Sequence, residues 1–460
     1  MLSGKSKGSY KIDMCSGPIV SRLLLFTGPL ALSSVLQLLF NAADIIVVGK
    51  YAGDNSLAAV GSVVPLVNLM ISTFVGLSVG SNVLASRYYG SRNDEMMTKT
   101  VHTSVLISLI SGVGLAVIGF VCSKQILTWM SSPEETLSLA SLYLRIYSLG
   151  MPASMLYNFG SALLRAVGDT RRPMVYLSIA GVVNVLLNLF FVIVLKMDVA
   201  GVATATVVSQ VISAILVIRC LMSESGALRL VIKKLSIDRY TALRIIGIGF
   251  PAGLQGMLFS FSNVIIQSSV NSFGATVVAG NSAAMNIEGF VYMSMNSFYQ
   301  ATISFVSANV GARTFERINK IVIRAQVCVF LTGLILGGTA YMFGHELLSI
   351  YTNSEAVVDV GIIRMMYICQ PYFLCGMMDV MVGCLRGIGY AILPMIVSLI
   401  GACGLRLIWI FTFFRTPRFH EIKYLYLTYP ASWAVTFLAH IICYLIVRKR
   451  FDRQHGITRN

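Results

Sequence analysis

The sequence predicts an all-α polytopic membrane protein with twelve transmembrane helices in two pseudo-symmetric six-helix lobes. Three observations support this prediction. Of the 460 residues, 56% are hydrophobic and only 12% are charged, which is about half the charged fraction of an ordinary globular chain. Apolar runs of about 20 residues, each long enough to cross a bilayer, recur along the chain. Two distant segments also share one sequence pattern.

Twelve apolar runs are long enough to span a membrane. The predicted spans are 20–48, 57–84, 101–122, 137–163, 174–195, 200–222, 245–271, 279–307, 323–343, 359–384, 394–414 and 427–447. The first 18 residues are polar and basic, and the apolar run that follows them is a full span, so we expect no cleavable signal peptide.

The pattern LLRAVGDTRRPM at 163–174 recurs as CLRGIGYAILPM at 384–395. Positions in the first copy lie 221 residues before their counterparts in the second, and the same offset relates Gly53 to Gly274, Arg92 to Arg313 and Gly168 to Gly389. An even number of spans in each copy makes the repeats parallel, an arrangement typical of transporters. We therefore expect lobes at 1–222 and 245–460, joined by a cytoplasmic linker at 223–244.

The net charge of +16 follows the predicted topology. Most of the 35 Lys and Arg residues fall on the side of the termini, and the opposite loops contain only Lys50, Lys124, Lys196, Arg415, Arg418 and Lys423. This asymmetry is the positive-inside pattern, which places both termini in the cytoplasm and the protein in the cytoplasmic membrane. The basic composition therefore reflects topology and does not indicate a nucleic-acid partner.

No motif for catalysis, a metal or a cofactor occurs in the sequence. The nine cysteines show no CxxC spacing and read as small buried hydrophobes. An intramembrane enzyme would need an HExxH motif, paired histidines or a Ser/Lys or Ser/His arrangement, and none occurs in the spans. The first span of each lobe contains a proline, Pro29 and Pro251, which indicates either bent helices facing a central cleft or kinks packed against neighbours.

Three acidic residues, Asp44, Glu288 and Asp379, lie within the predicted spans. An ionised side chain at the bilayer centre costs at least about 2.5–3.5 kcal/mol, so a functional role is the first hypothesis for each. The alternative is a permanent ion pair with one of the arginines in or beside the spans, namely Arg145, Arg364 and Arg406. Of these, Arg406 in the middle of the eleventh span is the one that most needs a partner.

The acids occupy different depths in the two lobes. Asp44 lies near the outer end of the first span, whereas Asp379 lies seven residues before Arg386, in the inner half of its span. Asn158 lies seven residues before Arg165, so Asn158 and Asp379 are equivalent positions of the repeat. Asp44 has no acidic equivalent, which indicates that the lobes share a scaffold but differ in chemistry.

Two asparagines one helical turn apart, Asn184 and Asn188, lie on one face of the fifth span. Together with Gln37, Asn41 and Asp44 they can form an oxygen-rich site in the first lobe. Oxygen ligands suit a hard cation and a desolvated carboxylate suits a proton, so the coupling ion stays open between Na⁺ and H⁺. We expect no metal other than sodium at Asp44.

The chain resembles the multidrug and toxic compound extrusion (MATE) family. The resemblance is carried by FNAADIIVVGKYAGDNSLAAVGS, LLRAVGDTRRPM, NVLLN and GVATATVVSQ in the first half and by IEGFVYMSMNSFYQA and CLRGIGYAILPM in the second. It covers nearly the whole chain. It implies cation-coupled export of amphipathic, often cationic, compounds across the cytoplasmic membrane.

The resemblance also implies roles for individual residues. Asp44 matches the first-helix aspartate of the family, a cation or proton site, and the other expected members of that site are Tyr143, Asn158, Asn184, Asn188 and Thr206. The sequence departs from the family at position 188, where many members have an aspartate and this chain has an asparagine. One branch of the family has acids at positions where this chain has Phe259 and Cys375. The chain therefore resembles the branch that couples through the first lobe.

The expected mechanism is alternating access by a monomer that rocks its two lobes about a central cleft. The expected substrate-binding residues are Gln37, Asn41, Asn263, Glu288 and Asp379, assisted by aromatic and methionine side chains. The alternative function is a flippase for a lipid-linked precursor, which would need a basic central cavity for phosphates.

Overall fold

The computed structural model describes residues 10–130 and 134–455, which are almost entirely helical. The first lobe contains α1 (Ile19–Tyr51), α2 (Asp54–Gly90), α3 (Asp94–Trp129), α4 (Glu134–Leu149), α5 (Met151–Ala166), α6 (Arg171–Leu189) and α7 (Asp198–Ser223). The second lobe contains α8 (Arg239–Asn271), α9 (Ala275–Gly311), α10 (Phe315–Met342), α11 (Gly344–Ser349), α12 (Glu355–Ile368), α13 (Phe373–Ile388), α14 (Ile392–Ser398), α15 (Leu405–Phe411) and α16 (Ile422–Gln454).

These helices make twelve membrane-spanning segments, as the sequence predicts. Three of the segments combine two helices each: α4 with α5, α12 with α13, and α14 with α15 through the π turn Leu399–Gly404. Within the described ranges, ten segments are long and apolar enough to cross a membrane by length and composition alone. The remaining two are the α4–α5 segment and α9, which has 37 residues.

Two predicted spans, 137–163 and 359–384, are interrupted in the structure. The first breaks at Gly150, between α4 and α5, and the second contains the short 3₁₀ turn Gln370–Tyr372 between α12 and α13. Pro152 and Pro371 lie at these breaks, where a proline lacks the N–H that a continuous helix needs. In contrast, α1 and α8 continue through their prolines.

The sequence repeat is also a repeat of backbone conformation. Three pairs of equivalent residues have a positive φ: Gly53 (86°) and Gly274 (93°), Gly168 (87°) and Gly389 (117°), Arg92 (53°) and Arg313 (57°). This region is open to glycine, which lacks a Cβ, and is unfavourable for other residues. The two lobes therefore use the same turns at corresponding points.

The lobes make close contact between α2 and α8. The helix backbones touch at Gly76 and Gly253, and a Cβ added to Gly249 would lie 2.5 Å from the Cα of Leu77. Ser304 Oγ in the second lobe donates a hydrogen bond of 3.0 Å to Asn82 Oδ1 in the first. This contact region depends on glycines because any side chain would hold the helices apart.

Residues 10–18, which we call the terminal strap, connect the two lobes at one end of the helix bundle. The connection 224–238 between the lobes lies at the same end, which we call the terminal face. In the first lobe, the Gly168 carbonyl accepts a hydrogen bond of 3.0 Å from Ile12 N–H, and Lys11 Nζ donates at 2.7 Å to Glu224 Oε2, directly after α7. In the second lobe, Asn309 Nδ2 donates to the Met14 carbonyl at 2.9 Å and Arg317 Nη2 to the Ser16 carbonyl at 2.7 Å. The strap thus holds both lobes together at this face.

The first half of α1 packs in the core of the second lobe. Phe26 meets Phe305 edge to face with ring centroids 5.4 Å apart. Leu23 and Leu30 belong to the same buried cluster. Because α1 also continues into the first lobe, it links the two halves of the protein mechanically.

Candidate ion and substrate sites

Four predicted residues of the first lobe, from α1, α6 and α7, form one hydrogen-bonded network. Asn188 Nδ2 donates to Asp44 Oδ1. The same Nδ2 lies 3.4 Å from Asn184 Oδ1, and Asn184 Nδ2 lies 3.4 Å from Thr206 Oγ1. The structure therefore brings together Asp44, Asn184, Asn188 and Thr206 as the sequence analysis expects.

The Asp44 carboxylate is half-buried and forms no ion pair with any residue that the structure describes. Beside it, Asn188 is fully buried, and its Oδ1 accepts no hydrogen bond within the described ranges. A carboxylate, two amide oxygens and a hydroxyl are the donors that hard cations prefer. A proton on Asp44 would equally remove its charge. The donor set therefore fits either a hard cation or a proton.

The other predicted residues of this lobe lie around the network. Tyr143 stacks on Tyr147 with ring centroids 5.9 Å apart, and both rings lie within electrostatic reach of Asp44. Asn158 donates to the Ser154 carbonyl of its own helix at 2.8 Å. Gln37 and Asn41 have exposed side chains, and their spacing places them on the same face of α1 as Asp44. The roles of these outlying residues stay predictions.

The second lobe encloses a cavity of about 430 Å³ between α8, α9, α13, α15 and α16. Two of the predicted substrate residues, Asn263 and Asp379, lie in its wall. Aromatic rings form much of the remaining wall, contributed by Phe259, Tyr292, Tyr299, Tyr372, Tyr429 and Trp433. The combination of aromatic surface and a few polar groups is typical of a small-molecule site.

Two arginines that sequence reasoning did not assign to a site also line this cavity. Arg386 is 4% exposed and donates to Gln255 Oε1 at 2.8 Å and to the Tyr299 hydroxyl. Arg406 is 3% exposed, and its guanidinium lies 4.3 Å from the ring centroid of Tyr429. The signal for Arg406 was present in the sequence, since it is a cation inside a predicted span, whereas Arg386 falls just after the end of the predicted span 359–384.

Glu288 lies in a smaller adjoining cavity of about 180 Å³ and is paired with Arg364. Arg364 Nε and Nη2 each donate to one carboxylate oxygen of Glu288 at 2.7 Å, and Nη1 donates to Asn281 Oδ1 at 2.6 Å. Of the three arginines that the sequence offered as partners of Glu288, Arg364 is the one that pairs with it. Arg145 Nε instead donates to Ser123 Oγ at 3.0 Å. Contact of Glu288 with substrate stays a prediction.

A repeated pair of six-helix lobes in a membrane, with a polar site in each lobe, defines a two-lobe membrane transporter. The chain belongs to the MatE family, the multidrug and toxic compound extrusion transporters. The family model matches residues 29–190 and 251–412, once in each lobe.

Curated relatives match along most of their length. The chain is 29% identical over 444 residues to the probable multidrug resistance protein YoeA of Bacillus subtilis strain 168, covering 95% of this chain and 96% of the relative. It is 27% identical over 394 residues to the probable multidrug resistance protein YpnP of the same strain, covering 86% and 88%.

A solved structure described as the outward-facing conformation of a multidrug resistance MATE family transporter of the MOP superfamily shares the fold. It superposes with a TM-score of 0.89 at 21% identity, covering 97% of this chain and 100% of that one.

Proposed function

We propose that this protein is a proton- or sodium-coupled antiporter that exports amphipathic or cationic small molecules by alternating access. The observation that carries the proposal is the Asp44 carboxylate, which lies in a membrane helix without an ion pair to any described residue. It lies next to Asn188 Oδ1, which accepts no hydrogen bond from those residues. The names of the relatives, probable multidrug resistance proteins, support export of drug-like compounds. The distribution of Lys and Arg supports a cytoplasmic terminal face.

Asp44 is the proposed coupling site because an ionised carboxylate is energetically unfavourable within the membrane. A proton on the carboxylate, or a sodium ion bound by Asp44, Asn188 and Asn184, would neutralise or compensate that charge. The ion-loaded and ion-free forms of the first lobe would therefore favour different arrangements around α1. A coupling ion acts on a transporter through such a difference between two states.

Helix α1 provides a route from the coupling site to the lobe interface. It carries Asp44 in the first lobe and Phe26 in the core of the second. A shift of α1 on ion binding would alter its packing against α9, where Phe305 lies. The two lobes would then rock relative to each other.

The contacts at the terminal face support an arrangement that is closed toward the cytoplasm. Opening that face would separate the Gly76–Gly253 contact, break the Asn82–Ser304 hydrogen bond and release the terminal strap. Substrate would bind in the second-lobe cavity, where Asp379 would attract a cationic group and the aromatic wall an apolar one. The alternative function, a flippase for a lipid-linked precursor, gains no support from the relatives.

Dye efflux from reconstituted vesicles tests this proposal. Purified protein would be reconstituted with a cationic dye, and efflux would be followed under an imposed proton or sodium gradient. We expect Asp44→Asn to abolish the response to the gradient. Asp379→Asn, the same change in the other lobe, should lower dye affinity but keep the response. The proposal fails if Asp44→Asn couples export to either ion as well as the parent does.

A further inference from the structure

A groove of about 320 Å³ lies between α10 and α16 in the second lobe. It lies at the terminal face, because α10 begins there and Arg317 of its first turn holds the terminal strap. The wall contains one residue of α10 and a run of residues at the end of α16, namely Asn319, Tyr444, Leu445, Arg448, Lys449, Asp452 and Arg453. None of these residues lines either cavity of the second lobe described above.

The two helices are fixed to each other beside this groove. The Tyr444 hydroxyl donates to Asn319 Oδ1, and Arg448 Nη2 donates to the Phe315 carbonyl at 2.8 Å. Phe315 also meets Phe451 edge to face, with ring centroids 5.1 Å apart. The groove is therefore preformed by contacts between the start of α10 and the end of α16.

The groove carries an excess of positive charge. Its single carboxylate, Asp452, has Oδ1 3.2 Å from Arg448 Nη2, so these two charges compensate each other. Lys449 and Arg453 are exposed and form no ion pair within the described ranges. They lie one helical turn apart, about 6 Å along the axis, so one phosphate group can contact both.

The face of α16 that carries these two cations continues into the membrane as an apolar surface. Leu438, Ile442 and Leu445 are each more than half exposed, and their spacing places them on the same face as Lys449 and Arg453. The predicted span 427–447 ends just before Lys449. One helix face therefore changes from apolar to basic at the depth where lipid headgroups meet the acyl region.

We propose that this groove binds an anionic phospholipid, with its phosphate on Lys449 and Arg453 and its acyl chains along the apolar face of α16. Basic pockets between membrane helices bind acidic headgroups in this way. The apolar face favours a lipid over a free anion, because a free anion would leave Leu438, Ile442 and Leu445 without a role. The site requires only that the terminal face lies at a headgroup layer, so it is independent of the proposed export function.

Two lipids that differ only in the headgroup test the inference. Dioleoyl phosphatidylglycerol and dioleoyl phosphatidylcholine share their acyl chains and phosphate, but choline adds a cation that the groove should repel. Binding of each lipid to the purified full-length protein in detergent would be measured by native mass spectrometry. We expect the first phosphatidylglycerol to bind at least about tenfold more tightly than phosphatidylcholine, since each lysine or arginine near an anionic lipid contributes about fivefold.

Matched variants at the end of α16 assign this preference to the groove. Lys449→Gln and Arg453→Gln should each lower phosphatidylglycerol affinity about fivefold, and the double variant about 25-fold, whereas Lys449→Arg keeps the charge and should keep the affinity. Arg450→Gln is the control, because Arg450 is an exposed neighbour of Lys449 that does not line the groove. An equal loss in Arg450→Gln and Lys449→Gln would show a diffuse attraction to the basic helix end and overturn the inference.

Two further outcomes decide whether the ligand is a lipid. A large excess of inorganic phosphate should not displace phosphatidylglycerol, and displacement would assign the groove to a free anion and overturn the inference. Equal affinity of the parent for the two lipids would also overturn it.

Thermal unfolding in detergent provides a second readout. The exposed side chains of Lys449 and Arg453 should leave the lipid-free unfolding temperature unchanged when they are replaced. Added phosphatidylglycerol should raise that temperature more in the parent than in the double variant, because a ligand stabilises the folded state that binds it. An equal rise in both proteins would contradict the assignment of the lipid to this groove.

Discussion

Asn188 donates a hydrogen bond to Asp44 through Nδ2, while its own buried Oδ1 accepts none from the described part of the chain. The two residues are 144 positions apart, on α6 and α1. One amide group therefore fixes the carboxylate and places a free oxygen beside it. This pairing is the basis of the proposed ion site, and it makes Asn188 as important to test as Asp44.

Replacing Asn188 by leucine should impair coupling without removing substrate binding. The change keeps a side chain of similar size but removes both the donor to Asp44 and the free oxygen. We expect gradient-driven dye efflux to fall at least about tenfold, as loss of a charged hydrogen bond predicts. The control is Thr204→Val, which removes a hydroxyl that donates to the Ala200 carbonyl of its own helix and bonds to no other described residue. Unchanged coupling in Asn188→Leu would remove this residue from the ion site.

Glu288 should be important mainly for stability. Glu288→Gln leaves Arg364 buried without its counter-ion, which typically costs about 3–5 kcal/mol. The double variant Glu288→Gln with Arg364→Met removes both charges and should recover much of the loss. Thermal unfolding in detergent, followed by intrinsic fluorescence, measures this. A Glu288→Gln protein with a normal unfolding temperature but no dye binding would show that Glu288 contacts substrate directly.

The glycine contact between α2 and α8 should control closure of the terminal face. Gly249→Ala places a methyl group 2.5 Å from the Leu77 Cα, whereas Gly247→Ala on the same helix meets no atom within 4 Å. Both changes favour helix equally, so their difference isolates the contact. We expect faster hydrogen exchange in α2 and α8 for Gly249→Ala only. Identical exchange in the two variants would show that the helices accommodate the methyl group.

The terminal strap should contribute stability that depends on pH. Burial opposes the charge on Glu224, but hydrogen bonds from Lys11 and Arg172 hold the pKa of this carboxyl below its ordinary value. A lowered pKa in the folded state means that the contribution is complete above the ordinary glutamate pKa, about 4.3, and is lost as the pH falls through the native pKa.

The unfolding temperature of Glu224→Gln should therefore differ most from that of the parent near pH 7, and the difference should shrink at about pH 4 and below. Glu95→Gln breaks an exposed pair with Lys99 and should have little effect at any pH. A Glu224→Gln difference that is independent of pH would mean that the ion pairs do not stabilise the strap.

The architecture could be predicted from sequence because it depends on apolar run length and on the repeat. The 221-residue offset relates Gly53 to Gly274, and both glycines have a positive φ in the structure. The interruptions of the fourth and tenth spans were not predicted. Pro152 and Pro371 lie at corresponding positions of the two lobes, as Pro29 and Pro251 do, but the helix breaks only at the first pair. The sequence does not distinguish the two pairs, because the packing around each proline decides whether the helix continues.

The partners of the buried charges were harder to predict than the spans. Glu288 and Arg364 are 76 positions apart, and their pairing depends on how α9 and α12 are rotated toward each other. Arg406 was expected to need a carboxylate, but aromatic rings and a serine surround it instead. In contrast, Asn184 and Asn188 were grouped correctly because helical periodicity alone places them on one face.

The most direct test of the central claim compares uphill export with passive exchange in the Asp44→Asn protein. Vesicles containing the parent should accumulate the ester of rhodamine B against its gradient when an ion gradient is imposed, and should also exchange labelled for unlabelled dye without one. We predict that Asp44→Asn retains exchange at a rate near that of the parent but shows no uphill accumulation. Uphill accumulation by Asp44→Asn equal to that of the parent would contradict the assignment of ion coupling to Asp44.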